Sequence, residues 1–383
     1  MYRKFKGVSI FTGIEMLPAG MVLVTTDDGT IESLIPEKEA GDNIEILDGI
    51  LVPGFINCHC HLELSHLKGY IPEQTGLVDF VFKVVNERHF AEEIIIHAIK
   101  TAENEMYNNG IVAVGDICNN TFAVTLKEKA KLYYHNFIEA SGFPPSVAPQ
   151  RFQRNVDFYN FYSEKLTSNS IVPHAPYSVS PEMFRMIDSF PGNKIITIHN
   201  QEIAAENELF EKGTGDLLRM YEKMNIDISF FKPSGKTSLQ TYLPYFTKEQ
   251  KIILVHNVAT TEADINFAKL QSQAFNSNIY YCLCPNANLY ISNILPDVNL
   301  FAAYPDNIVL GTDSLASNSQ LSILAELNIL HRNYPSLDYA NLLQWATLNG
   351  AKALGIENTF GSFDKGKKPG VVLINRDVAK RIL

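Results

Sequence analysis

Beyond residue 50 the sequence alternates apolar, strand-like runs with stretches of helical spacing, and this rhythm repeats eight times. Eight such units suit a (β/α)8 barrel, which takes ~250 residues plus insertions. A doubly wound open sheet is the alternative that the rhythm alone leaves open. The eight strand-like runs are GFINCHCH, IVAVGDI, LYYHNFIEA, SIVPHAP, KIITIHN, KIILVHN, IYYCLCPN and NIVLGTD.

The residues on either side of this region follow a different pattern. Residues 7–50 contain short β-like runs and turn signals, such as the Asp-Gly pairs at 28–29 and 48–49. After Gly361 the tail returns to turn and strand character. We therefore predict an α/β fold, with a (β/α)8 TIM-like barrel over residues 51–357 and a small discontinuous β-sandwich domain made of residues 1–50 and 358–383.

Charge and cysteine content exclude several classes of partner. The 383 residues carry a net charge of −10, and no Lys/Arg cluster could follow a phosphate backbone. This argues against nucleic-acid polymers and anionic membranes as partners. Five thinly spread cysteines indicate reduced thiols. Because no apolar run suggests a signal segment or a membrane span, we expect a soluble cytoplasmic protein. With polymers and membranes excluded, a small molecule is the expected partner. A homodimer is left open.

Two histidines stand one residue apart at the end of the first strand-like run. Side chains on a strand alternate between its faces, so His59 and His61 share one face while Cys58 and Cys60 point away from it. Two imidazoles placed in this way can occupy adjacent corners of one zinc coordination sphere. Alone, the pair suits a packed core equally well.

Polar residues at the ends of other strands favour the metal site. His174, His199 and His256 lie at or near the ends of the fourth, fifth and sixth runs, and Asp313 ends the eighth. In a closed barrel the carboxyl ends of the strands meet at one mouth, where the active sites of such barrels lie. Convergence of these residues is therefore expected in a barrel and is hard to explain as packing.

At this point the sequence resembles the amidohydrolase superfamily, in particular its branch of mononuclear, metal-dependent deaminases and chlorohydrolase-like proteins. The resemblance implies that His59, His61, His199 and Asp313 bind the metal. It also implies that Glu202 shuttles protons, that His256 orients the attacking water, and that Asp313 accepts a proton from it. The matching segments, in family order, are PGFINCHCHLELS, HAPYSVS, HNQE, LVHNV, CPNANLYI, LGTDSLASN and ATLNGAKALG.

The resemblance further implies one divalent metal ion, with zinc favoured over iron. Binuclear members of the superfamily place a modified lysine at the end of strand four, where this sequence has His174. The implied reaction is hydrolytic removal of an amine from an electron-poor ring, with release of ammonia.

The segment HLELS is similar to the HLEFS type of aminodeoxyfutalosine deaminases, so that adenine nucleoside is the leading substrate. Guanine, cytosine, S-adenosylhomocysteine and chloro-triazines are alternatives within the superfamily. A cyclic-amide hydrolase of the imidazolone type and a non-catalytic scaffold are further alternatives. A core position is the alternative for His174, surface helix charge is the more ordinary explanation of Glu87 and Arg88, and a turn suits Asn286 equally well. The candidate substrate contacts are Glu63, Ser65, His174, Glu87, Arg88 and Asn286.

Overall fold

The computed structural model describes residues 2–383. Within them, the strands are β1 (Tyr2–Lys6), β2 (Ser9–Ile10), β3 (Met21–Thr26), β4 (Ile31–Pro36), β5 (Ile44–Ile46), β6 (Ile50–Pro53), β7 (Phe55–Cys60), β8 (Ile111–Cys118), β9 (Tyr133–Ala140), β10 (Asn169–Pro173), β11 (Ile195–Asn200), β12 (Lys251–His256), β13 (Asn278–Leu283), β14 (Ile308–Leu310), β15 (Val371–Asn375) and β16 (Val378–Arg381). The α-helices are α1 (Glu37–Ala40), α2 (Leu77–Glu87), α3 (Glu92–Asn108), α4 (Val124–Lys127), α5 (Ala148–Ser163), α6 (Pro181–Ser189), α7 (Ala204–Lys212), α8 (Leu217–Lys223), α9 (Ser238–Tyr242), α10 (Glu262–Phe275), α11 (Pro285–Ser292), α12 (Ile323–Asn333), α13 (Tyr339–Gln344) and α14 (Gly350–Ala353).

Each of the eight predicted strand-like runs forms a strand, and all the pairings among β7–β14 are parallel. These strands form two four-stranded sheets, ordered β10-β9-β8-β7 and β11-β12-β13-β14. Their residues are almost all buried, as expected of parallel strands covered on both faces. The predicted α/β class and its parallel strands are confirmed.

The two parallel sheets meet at two seams, and within residues 2–383 no continuous ladder crosses either seam. At one seam the backbone N–H of His199 donates to the carbonyl of His174 over 2.9 Å. At the other, the N–H groups of Thr312 and Asp313 donate to the carbonyl of His59 over 3.0 and 3.1 Å. The strands therefore approach one another on both sides through a few hydrogen bonds at their carboxyl ends.

Strands from the two ends of the chain pair with each other outside these sheets. β15 runs antiparallel to β6, with Val371 opposite Pro53, in a sheet ordered β16-β15-β6-β2. A second sheet, ordered β4-β3-β1-β5, shares an apolar cluster with the first through Phe5, Leu23 and Leu51. The described residues thus bring the two chain ends together, while the domain boundaries at 50 and 357 stay a prediction.

Side-chain caps mark the start of two helices. Ser180 accepts a hydrogen bond from the N–H of Met183 at the start of α6, and Thr261 forms a capping box with Asp264 at the start of α10. A short break separates two helices here, because α2 ends at Glu87 and α3 starts at Glu92. Across residues 2–383, every helix is too short or too polar to span a bilayer.

All five cysteines are buried and unpaired in the core: Cys58, Cys60, Cys118, Cys282 and Cys284. Burial raises the pKa of the Cys58 thiol and that of the Cys60 thiol. The two cysteines beside His59 therefore pack as small apolar side chains, as their alternation with the histidines predicts.

The close approach of the chain after β14 to β7 depends on Gly311. A β-carbon at this position would lie 2.8 Å from the Cβ of His59 and 2.9 Å from the Sγ of Cys282. We expect Gly311→Ala to lower the free energy of unfolding by roughly 1–3 kcal/mol, because a packed core yields little to an added methyl group. Urea denaturation measures this effect.

Gly142→Ala is the matched control for Gly311→Ala. Its new β-carbon would lie 3.2 Å from the Cδ of Arg151, at its nearest contact, and that flexible side chain can move. Equal destabilisation by the two substitutions would show that Gly311 has no special role in packing.

Candidate active site

Four side chains meet where the parallel strands end: His59 on β7, His61 just after it, His199 on β11 and Asp313 after β14. One potential ligand atom from each lies within 4.8 Å of the others. Nε2 of His61 is 3.2 Å from Nε2 of His59 and 3.3 Å from Nε2 of His199. Oδ1 of Asp313 lies 3.4 Å from Nε2 of His61 and 3.6 Å from that of His59.

The chemistry of this cluster fits a divalent cation. Nδ1 of His199 donates to the carbonyl of His174 over 2.8 Å, which leaves Nε2 with a free lone pair. Burial lowers the pKa of His61, and burial together with nearby His174 lowers the pKa of His199 to about 3. Neutral imidazole nitrogens at these separations either share a hydrogen bond or, with their lone pairs, bind one cation between them.

Asp313 supplies the anionic member of the cluster. Burial alone would raise the pKa of Asp313, but its contacts with His59, His61 and His256 together outweigh burial and hold the pKa below its ordinary value. Its second oxygen, Oδ2, accepts a hydrogen bond from the Ser317 hydroxyl over 2.6 Å. Three imidazoles and one oriented carboxylate can hold a divalent metal ion and leave room for a water molecule.

Glu202 and His256 lie next to this cluster. Oε1 of Glu202 is 3.7 Å from Nε2 of His256, and the side-chain amide of Asn288 holds Nδ1 of the same ring at 3.1 Å. Burial, with the nearby charge of Asp313, raises the pKa of Glu202 well above its ordinary value. A carboxyl group that keeps its proton near neutral pH can donate that proton to a bound molecule.

The backbone is strained at several site residues. His256 has φ 77°, Asn257 φ 61°, Asp313 φ 56° and Gln201 φ 46°, values that residues other than glycine seldom adopt. The Asn257 side chain donates to the carbonyl of Leu254 over 2.8 Å, so part of the cost is offset locally. Strain of this kind clusters at functional sites.

A cavity of about 790 Å³ opens beside the four clustered residues. One part of its wall carries the polar groups, including most of the predicted site residues. Another part is apolar and includes Leu77, Phe80 and Phe143. Of the predicted site residues, His61, Arg88, His174, His199, Glu202, His256 and Asp313 line this cavity.

The structure places four predicted substrate contacts away from the cavity wall. Glu63 is buried, and its Oε2 accepts the backbone N–H of Asn119 over 2.9 Å; burial raises its pKa to about 7. The Ser65 hydroxyl donates to the carbonyl of Leu62 over 2.7 Å. Glu87 is exposed at the end of α2, and the N–H of Asn286 donates to Glu326. Contact of these four residues with a substrate stays a prediction.

Two residues that the sequence analysis did not single out also shape the site. Glu139, near the end of β9, lines the cavity. Asp116, in β8, accepts the N–H of Leu62 over 2.8 Å and so fixes the chain directly after His61. Both lie towards the carboxyl ends of strands, and that position is the sequence signal that could have identified them.

Asp116 is neutralised by a buried lysine. Nζ of Lys127 lies 2.6 Å from Oδ2 of Asp116 and 2.7 Å from Oδ1 of Asn136, and its side chain is fully buried. Burial alone would lower the pKa of Lys127, but the carboxylate of Asp116 and the thiol of Cys118 together outweigh burial and raise it. The ion pair therefore supports the loop that carries His61.

Three imidazoles and a carboxylate gathered at the ends of parallel strands, beside a cavity, are typical of a metal-dependent hydrolase. The chain matches the model of the Amidohydrolase family over residues 50–381 and belongs to that family. It is a hydrolase that acts on carbon–nitrogen bonds other than peptide bonds.

Similar proteins cover most of the chain. An adenosine deaminase of Helicobacter pylori is 28% identical over 328 residues, which are 84% of this chain and 78% of the relative. An aminodeoxyfutalosine deaminase of Nitratiruptor sp. is 25% identical over 360 residues, or 90% and 84%. The crystal structure of Helicobacter pylori aminofutalosine deaminase with methylthio-coformycin superposes with a TM-score of 0.79 at 23% identity, covering 98% of this chain and 93% of that one. This last likeness concerns the fold.

Removal of one imidazole should abolish tight metal binding. We expect His199→Ala to weaken affinity for a divalent ion by at least ~100-fold, because three ligands replace four. Elemental analysis after dialysis against a chelator gives the metal content of each chain. His97→Ala, on an exposed residue of α3, is the control and should keep the wild-type content. Full retention by His199→Ala would exclude this cluster as the metal site.

Breaking the buried ion pair should destabilise the fold. We expect Lys127→Met to cost about 3–5 kcal/mol, because it leaves the buried carboxylate of Asp116 without a counter-charge. Urea denaturation followed by circular dichroism measures the loss. Lys129→Met, on an exposed lysine two residues beyond α4, should cost less than about 0.5 kcal/mol. Similar small losses in both variants would contradict this interpretation.

Proposed function

We propose that the protein is a metal-dependent aminohydrolase that removes the exocyclic amine of an adenine-like nucleoside and releases ammonia. The observation that carries this proposal is the placement of Glu202, buried and beside His256, on the same cavity wall as His61, His199 and Asp313. The adenosine and aminodeoxyfutalosine deaminases among the relatives support this choice of substrate class.

The cofactor of this reaction would be held by His59, His61, His199 and Asp313. A divalent ion bound there supplies a Lewis acid that lowers the pKa of water towards ~7. We propose zinc, because nitrogen-rich donor sets with one carboxylate suit this ion, and iron is the alternative.

For the fold, we propose that the eight parallel strands form the closed barrel of the family. The sheets formed by the two chain ends would be a small β-sandwich beside it.

The proton transfers fall to the chain's own residues. Glu202 holds a proton that it can donate to a ring nitrogen of the substrate, which makes the neighbouring carbon more electrophilic. Asp313, oriented by Ser317, accepts a proton from the attacking water and passes it to the amine, which leaves as ammonia. The hydroxyl group of the adduct returns a proton to Glu202 as the carbon–nitrogen bond breaks. His256, held by Asn288, lies close enough to Glu202 to stabilise negative charge that develops on the adduct.

Cavity size favours a substrate larger than a free base. A volume of about 790 Å³ is within the range of sites that enclose drug-sized ligands, and a purine alone fills only part of it. Arg88 and Arg151 also line the cavity, so an anionic end on the substrate would meet positive charge. Aminodeoxyfutalosine is therefore the leading substrate, with S-adenosylhomocysteine and methylthioadenosine as the next to test.

The decisive experiment is ammonia release by the metal-loaded protein, compared with Glu202→Gln. We expect the variant to keep its metal and lose roughly 10²–10⁴-fold in kcat, because its amide cannot donate and recover the proton. Candidate substrates are the three nucleosides named above, adenosine, guanine and a cyclic amide.

The outcomes separate the competing functions. Activity on the cyclic amide without ammonia release would replace deamination by ring opening. Unchanged activity of Glu202→Gln would remove Glu202 from the mechanism. Glu92→Gln, on an exposed carboxyl in the first turn of α3, is the control and should behave like the wild type.

A further inference from the structure

A buried carboxyl group lies behind the site, and the described lining of the cavity does not include it. This group belongs to Glu326, in the first turn of α12, and it is fully buried. Burial raises the pKa of Glu326 to about 8, although its hydrogen bonds favour the ionised form. A group that is this costly to bury is expected to do more than fill space.

One oxygen of Glu326 holds the start of α11. Oε2 accepts the backbone N–H of Asn286 over 2.9 Å. Among the described residues, Cys284 at the start of this helix provides no side-chain cap, so Glu326 caps the helix from a distant part of the chain. Two residues further along α11, the Asn288 amide holds Nδ1 of His256 at 3.1 Å. The position of Oε2 therefore affects the orientation of the His256 ring.

The other oxygen of Glu326 holds the segment that follows β14. Oε1 accepts a hydrogen bond from the side-chain amide of Asn318 over 2.8 Å. The same amide nitrogen donates its second proton to the carbonyl of Thr312 over 2.9 Å. Both amide protons are thereby used, and Asp313 follows directly with φ 56°. Glu326 and Asn318 together fix the peptide group that leads into Asp313.

We propose that Glu326 is a positioning residue that sets the placement of His256 relative to Asp313. Its contacts run through the first turn of α11 and Asn288 to His256, and through Asn318 towards Asp313. Because a single carboxyl group joins the two segments, displacement of one segment is passed to the other. This inference rests on the proposed function, in which both groups act on the proton transfers.

Two variants break the link from opposite sides. Glu326→Gln keeps the volume, and its oxygen can still accept the N–H of Asn286. Its amide would face the amide of Asn318, however, and two donors cannot form a hydrogen bond. Asn318→Ala removes the same contact and leaves Glu326 in place. Because the two variants lose a shared contact, adding Glu326→Gln to Asn318→Ala should have little further effect.

The first measurement reports on Asp313 without turnover. Cobalt(II) loaded into the site gives visible absorption bands that depend on the geometry of its ligands. We expect Glu326→Gln and Asn318→Ala both to bind cobalt with bands shifted from those of the wild type. The matched control is Asp188→Asn, on a buried carboxyl that accepts from Thr247 at the amino end of the strands. This control should keep the wild-type spectrum.

The second measurement is steady-state kinetics of the metal-loaded proteins on adenosine. We expect Glu326→Gln to lower kcat by roughly 10- to 100-fold, the effect of a small misplacement of groups at the reacting atoms. KM should change by less than about twofold, because His256 and Asp313 act on the transition state more than on the bound substrate. Asp188→Asn should keep the wild-type kcat and KM.

The two measurements separate failure of this inference from failure of the proposed function. Shifted cobalt bands in both variants support the positioning role even if the wild type releases no ammonia. The role is overturned if Glu326→Gln keeps the wild-type spectrum, or if Asp188→Asn shifts the bands equally. With an active wild type, an unchanged kcat in Glu326→Gln also overturns it. Should Glu326→Gln fail to fold, Asn318→Ala decides by the same criteria.

Discussion

The two parallel sheets are joined at their seams by backbone atoms of the residues that build the site. The carbonyl of His174 accepts the N–H of His199 at one seam, and the carbonyl of His59 accepts those of Thr312 and Asp313 at the other. Three of the four clustered residues, His59, His199 and Asp313, thus hold strands together through their backbones while their side chains point to one centre. The hydrogen bonds that join the two sheets therefore also fix the positions of these three residues.

Much of this centre could be predicted from the sequence, because strand periodicity and strand ends are local properties. Alternation places His59 and His61 on one face, and their chain positions put His199 and Asp313 at the same mouth. The direction of Glu63 could not be predicted in this way. A 3-10 helix, Leu62–Leu67, begins directly after His61 and turns Glu63 towards Asn119. The one sequence signal for Glu139 is its position near the end of β9, and that position alone does not show that its side chain reaches the cavity.

A buried polar network lies behind the strained residues and explains how the strain is maintained. The amide of Asn200 donates to Oδ1 of Asn257 over 3.0 Å, and the hydroxyl of Tyr242 donates to Asn200 over 2.8 Å. The N–H of Gln201 donates to the buried carboxyl of Glu206 over 2.9 Å. Networks that are nearly fully paired rigidify a core, and this one holds the chain on both sides of the Glu202–His256 contact.

The buried cysteines have a consequence for how the protein can be observed in solution. Cys58 and Cys60 lie on either side of His59, and burial suppresses formation of the reactive thiolate at both. An alkylating reagent can reach them only when β7 separates from its neighbours. The rate at which these thiols are alkylated therefore measures how often β7, the strand that carries His59, opens transiently. The measurement needs no added label.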